Sequence, residues 1–216
     1  MIENIIPYDE WSNIKAPVEA DDQRFASKIK VLRSYEDLQP QDVVLMGIPQ
    51  DIGIERNGGR PGASMAPFTI RELLGKLTVY GIREYEGTFY DAGNIDCEGR
   101  SIEDIRNDHY EVLHKIIQFG ARAIILGGGH DIAFPTGKAI LDSRQKTGII
   151  NIDPHLDVRV QIEGKSHSGT PFRELLEYKK PHEFIEFGTQ RFTASSHHRD
   201  YVISQGGRII SYEHIR

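Results

Sequence analysis

The chain has 216 residues, 38% hydrophobic and 27% charged, the balance of a soluble globular protein rather than a disordered or membrane-embedded one. Its 26 Lys and Arg against 32 Asp and Glu give a formal net charge of −6, which argues against nucleic acid as a partner. The single cysteine, Cys97, excludes an internal disulfide and fits a reducing, cytoplasmic setting.

The first residues carry neither a basic stretch nor a long apolar run, so neither a signal peptide nor a membrane span is expected there. Residues 1–40 are polar, with acids at Glu19, Asp21 and Asp22 and prolines at Pro7, Pro17 and Pro40. They read as an N-terminal arm with room for one short helix. From residue 41 onward short apolar runs alternate with longer amphipathic ones, so 41–216 reads as one domain. Residues 43–48, 121–126 and 148–153 are short and nearly continuously apolar, which predicts strands buried on both faces of a parallel sheet. Weaker strand signals lie at 88–91, 183–187 and 208–212. Helical spacing is clearest over 101–119, where Ile102, Ile105, Val112, Leu113, Ile116 and Ile117 share one face and Ser101 is placed to cap, with Asp104 three residues on. Shorter helices are expected at 67–77 and 132–141. Strands alternating with helices predict an α/β protein, a three-layer α/β/α arrangement on a mainly parallel sheet.

The chemistry concentrates after two of these strands. Asp153, His155 and Asp157 are spaced by two and project to one side wherever the backbone is extended. They follow the apolar run 148–152, at the C-terminal sheet edge where α/β proteins bind ligands. Pro154 ends the strand and biases Asp153 toward extended geometry. The plainer alternative is a solvated loop with an Asx turn at Asp153; two acids interleaved with a histidine directly after a buried strand favour metal binding. His130 follows the strand 121–126 through Gly127, Gly128 and Gly129, a stretch that permits a sharp turn and close backbone approach. It would project from the same edge, with Asp131 capping the next helix. A phosphate-cradling loop is the competing reading, but neither G-x-G-x-x-G nor a following Lys-Ser/Thr is present. Imidazole and carboxylate donors without thiolate suit Mn²⁺ ahead of Zn²⁺ or Fe²⁺. Two carboxylates and two histidines exceed the needs of one catalytic ion, so a pair of ions is expected.

These motifs resemble the ureohydrolase family of arginase, agmatinase and formimidoylglutamase. Gly127 to His130 is similar to its first metal motif, and Asp153-x-His155-x-Asp157 to its second. The likeness extends to Asn57-Gly-Gly-Arg-Pro-Gly-Ala63, to Pro67-Phe-Thr-Ile-Arg71, and to Asp91-Ala-Gly-Asn94 as a strand-end turn. Within the family, Asp157-Val-Arg159 and Ser168-Gly-Thr-Pro-Phe-Arg173 look most like formimidoylglutamase, which hydrolyses N-formimidoyl-L-glutamate to L-glutamate and formamide in histidine degradation.

The resemblance implies two Mn²⁺, with His130 and Asp157 on one ion, His155 on the other and Asp153 bridging. It implies attack of a bridging hydroxide on the amidine carbon, with Asp157 relaying a proton to the leaving amine. Arg159 is the expected partner of a substrate carboxylate, with a surface salt bridge as its alternative, and Ser168 and Gly169 are expected to line the substrate. Arginases carry an acid/base histidine at the place of Ser168; here His167 lies one residue earlier. The family's third motif, an Asp-x-Asp pair, has no counterpart before Arg216, so a chain lacking the C-terminal part is expected. The alternatives are an agmatinase- or arginase-type guanidino hydrolase, or an inactive member acting only as a binding domain; a homo-oligomer is compatible with either. His109 and His114 read as packing or surface residues, His197 and His198 as a solvated helix start, and Trp11 as an anchor of the arm. Cys97 has no histidine nearby in sequence to activate it.

Overall fold

The computed structural model describes residues 2–14, 23–80 and 84–214; Pro17, Glu19, Asp21 and Asp22 of the expected arm lie outside them. Its elements in chain order are β1 (Ile5–Ile6), β2 (Ile29–Val31), β3 (Val43–Gly47), α1 (Ile52–Arg56), α2 (Ala66–Gly75), β4 (Phe89–Ile95), α3 (Ile102–Gln118), β5 (Arg122–Leu126), α4 (Ala133–Ser143), β6 (Gly148–Ile152), α5 (Pro171–Tyr178), β7 (Glu183–Thr189), α6 (Ser196–Ser204) and β8 (Arg208–Ser211). This is the expected α/β alternation on mostly parallel strands. The chain forms two compact units, one of Met1–Asp51 with Pro61–Gly128, the other of Ile52–Arg60 with Gly129–Arg216.

In the first unit the strand order is β1-β4-β3-β5, with β2 also beside β4. All pairings are parallel except β1 on β4. Every residue of β3 is buried, as its continuous apolar run predicts. Residues 1–40 supply β1 and β2, and Trp11 packs with Tyr8, Phe25 and Leu45. Residues 91–94 are not a strand-end turn: β4 runs through them to Ile95, and a register shift opposite Leu45 and Met46 is taken up where Gly93 has φ +99°. Such a bulge needs a residue that tolerates positive φ. Helix α3 starts as expected, with Ser101 Oγ accepting from the Asp104 amide at 3.1 Å and donating to the Asp104 carboxylate at 2.6 Å. His109 is fully buried on its inner face and His114 stacks on Tyr110.

The second unit carries a parallel sheet of order β6-β7-β8. Leu141, Leu156, Val158, Phe172, Leu175, Leu176, Phe184 and Val202 form its core. Helix α5 begins with Pro171 in its first turn, where the missing N–H is no loss. Two strands depart from expectation. Ile124 of β5 is 48% exposed, and Ile150 and Ile152 of β6 are 61% and 77% exposed, so neither strand is covered on both faces. An apolar run specifies a strand, but the second covering layer is a tertiary property. No helix among the described residues is long and apolar enough to cross a membrane.

Candidate metal centre

The loop after β6 is held by its backbone. Asp153 N–H donates to the Phe187 carbonyl at 3.1 Å, Gln190 N–H to the Pro154 carbonyl at 3.0 Å, Phe172 N–H to the Asp157 carbonyl at 3.2 Å and Arg159 N–H to the Gly169 carbonyl at 2.8 Å. Leu156 and Val158, on either side of Asp157, are buried in the core. The turn is sharp: Asp157 sits at φ +45°, a left-handed conformation that aspartate tolerates better than most side chains. Strain of this kind persists where surrounding contacts over-determine it.

Asp157 thereby meets His130, whose Nδ1 lies 2.7 Å from Asp157 Oδ2 and 3.5 Å from Asp153 Oδ2. One ligand atom from each of His130, Asp153 and Asp157 falls within 4.8 Å of the others. The Phe172 ring meets the His130 imidazole edge-on at 5.6 Å. Burial, the largest single influence, opposes a charge on His130, but the hydrogen bond and charge of Asp157, with Asp153 and Asp131 behind it, outweigh burial and raise its pKa. Two carboxylates and an imidazole gathered at one point form an oxygen and nitrogen donor set that fits Mn²⁺.

His155 does not join this group. Its Nδ1 lies 3.0 Å from Asp153 Oδ1 and its side chain is 54% exposed. The Asp153 Oδ1 also accepts the His155 amide at 2.7 Å, so the Asx turn weighed against metal binding is present together with the donor cluster. Spacing by two aligns side chains only on extended backbone, and positive φ at Asp157 breaks that condition. Asp131 likewise departs from the expected capping role. The helix start at α4 has no side-chain cap, and Asp131 is buried against Gly53, where an added Cβ would stand 2.0 Å from its Oδ1. The triple glycine does serve close approach: a Cβ at Gly128 would lie 2.1 Å from the Gln50 carbonyl oxygen.

Arg159 and Ser168 are linked through a residue that sequence reasoning gave no role. Arg159 Nη1 donates to Asn57 Oδ1 at 3.1 Å, and Asn57 Nδ2 donates to Ser168 Oγ at 3.0 Å. Ser168 N–H is anchored on the Gly53 carbonyl at 2.9 Å. Gly169 packs beneath Arg159, and a Cβ there would be 3.0 Å from Arg159 Cδ. Asn57 stands in the glycine-rich stretch that carried part of the resemblance, so a signal existed, but not for this bridge. His167, next to Ser168, is a structural residue. It is buried, its Nε2 lies 3.1 Å from the Val160 carbonyl, and its Nδ1 accepts the Gly169 amide at 3.1 Å.

A second missed residue is Glu186 on β7, wholly buried. Its Oε2 accepts from Asn151 Nδ2 at 2.8 Å. Burial above all, with the charges of Asp157 and Asp153 adding and the Asn151 bond opposing, pushes its carboxyl up to about 9.

Mostly parallel strands, with one histidine and two aspartates gathered where they could hold a metal ion, place the chain among α/β proteins. The chain belongs to the arginase family, whose sequence profile matches residues 41–216. It is 37% identical over 171 residues to formimidoylglutamase of Salmonella arizonae, a match covering 76% of this chain and 52% of that protein. The crystal structure of Trypanosoma cruzi formiminoglutamase with Mn²⁺ superposes with a TM-score of 0.80 at 34% identity, covering 91% of this chain and 67% of that one. Formimidoylglutamase from Bacillus subtilis gives a TM-score of 0.83 at 26% identity, covering 94% and 64%. The chain spans about half the length of the curated relatives it matches.

Proposed function

We propose that the chain is the metal-binding part of a manganese-dependent hydrolase of linear amidines, acting on N-formimidoyl-L-glutamate in the cytoplasm. In this reading residues 41–216 form the metallohydrolase domain and 1–40 its N-terminal arm. The observation that carries it is the convergence of His130, Asp153 and Asp157 within 4.8 Å in an arginase-family chain whose matched relatives include formimidoylglutamases.

His130, Asp153 and Asp157 would hold the metal, and His155, its side chain half in solvent beside Asp153, would have to turn its ring to join them. Manganese bound there supplies Lewis-acid polarisation and lowers the pKa of water. The chain's own residues do the rest. Asp157 is hydrogen-bonded to His130 through Oδ2, and its carboxylate would take a proton from the attacking water and pass it to the nitrogen that departs as the C–N bond breaks. Arg159, held by Asn57, offers a guanidinium fork for a carboxylate of the glutamate portion. Ser168 Oγ and the backbone at Gly169 line the same side.

The test is side-by-side assay of the chain with Mn²⁺ on formimidoylglutamate, agmatine and arginine, with metal content measured in parallel. Glutamate release from the first substrate alone is the expected result. Turnover of agmatine or arginine without formimidoylglutamate would overturn the substrate assignment. Absence of both stoichiometric metal and hydrolysis would favour a non-catalytic binding domain instead.

A further inference from the structure

Asn151 and Glu186 are direct cross-strand neighbours in the parallel pairing of β6 and β7, and both are buried. Asn151 Nδ2 donates to Glu186 Oε2 at 2.8 Å and lies 3.4 Å from the His155 carbonyl oxygen. One amide group therefore ties the strand behind the site to the loop that carries Asp153, His155 and Asp157. Glu186 Oε1 is buried with no hydrogen-bond partner among the described residues. A carboxyl in such a place is an expensive way to fill space, because an apolar side chain of similar volume would leave no polar atom unsatisfied.

We propose that Glu186 is a positioning residue for the metal loop: it fixes the Asn151 amide, which in turn fixes the His155 carbonyl and the turn between Asp153 and Asp157. The metal part of this statement rests on the function proposed above. The positioning part rests on the two hydrogen bonds and the strand register. Partners behind the ligands of a metal site commonly set its affinity in this way. With burial pushing the Glu186 carboxyl to about 9, the group is neutral at pH 7, and glutamine is its close replacement in charge and shape.

Two measurements on the full chain test this. The first is backbone hydrogen exchange at residues 153–157 without metal. Faster exchange confined to this loop is expected in Glu186→Leu and Asn151→Leu. Glu186→Gln should leave it unchanged, and the double leucine variant should be no faster than either single one, since both remove the same link. The thermal midpoint of Glu186→Leu should not fall, because an apolar side chain replaces a buried polar one. The second is calorimetric Mn²⁺ titration, in which Glu186→Leu should bind about tenfold more weakly and Glu186→Gln as the parent does. Unchanged loop exchange in Glu186→Leu, loosening spread through β6 and β7, or equal damage from Gln and Leu would each overturn the proposal. A parent chain that takes up no Mn²⁺ while the exchange pattern appears as expected removes the metal reading and leaves the positioning role standing.

Discussion

The first unit holds a buried cluster of charged and polar side chains and the second a half-buried one, and the two clusters are built on opposite terms. In the first unit Arg71 and Asp91 are completely buried. Arg71 donates from Nε and Nη2 to the two Asp91 oxygens at 2.7 and 2.8 Å, from Nη1 to Asn94 Oδ1 at 2.7 Å and from Nη2 to the Gly93 carbonyl at 2.8 Å. Asp91 also accepts from Trp11 Nε1 and from the Gly93 amide, each at 2.8 Å. The Tyr8 ring lies 4.8 Å from the Arg71 guanidinium carbon. In the second unit two carboxylates share one histidine, a third carboxyl has an oxygen with no hydrogen-bond partner among the described residues, and Asp157 sits at positive φ. Ionic groups that satisfy one another fully have nothing left to offer a ligand. Acids gathered with few donors around them keep the capacity to take up a proton or a cation.

The largest expected effect is in the satisfied cluster. Arg71→Ala leaves Asp91 buried without its counter-ion and should lower unfolding free energy by about 3–5 kcal/mol in urea titrations. A loss below about 1 kcal/mol would erase the contrast between the units. The opposite outcome is expected for Asp157→Gly. Glycine accepts positive φ without strain, so stability should hold or rise, while Mn²⁺ affinity falls about 10- to 100-fold by calorimetry. A variant that loses stability yet keeps its affinity would show that Asp157 is structural.

The Glu186 carboxyl gives the pH dependence. Its folded-state value of about 9 lies above the ordinary 4.5, so the folded chain retains a proton that the unfolded chain releases. Its contribution is present in full below about pH 4.5 and is lost as pH rises toward 9. In metal-free chain, the stability gain of Glu186→Gln over the parent should therefore grow across that window and vanish at its acid end; equal gain at every pH would refute the assignment. A smaller effect, about 1 kcal/mol, is expected for Ser101→Ala at the start of α3, read from thermal melts. Smallest of all is the reactivity of Cys97. Burial first, then the neighbouring Asp96, pushes its thiol up to about 12. Alkylation at pH 8 should be slow in the folded chain and fast after denaturation.

Much of this contrast was legible in the residues. The pattern of apolar runs located β3, α3 and the strands ahead of both metal motifs, because local periodicity reports which face an element must bury. The Asp153-to-Asp157 motif and His130 were legible as donors because few plain loops place such side chains directly after strands. What escaped was what depends on distant partners. Asn57 bridges to Arg159 and Ser168 across more than a hundred residues of chain, and Glu186 becomes a buried acid only by pairing across strands with Asn151. Neither has a local signature.

The sequence by itself determined the element types, the donor chemistry and the family, since these reside in periodicity, side-chain identity and short motifs. Only the tertiary structure decided which donors meet. With Leu156 and Val158 buried in the core, Asp157 sits in left-handed backbone beside His130 while the His155 side chain is 54% exposed. A spacing of two residues cannot encode that, because side-chain direction follows the dihedral angles of the loop, and those are set by packing against residues far along the chain.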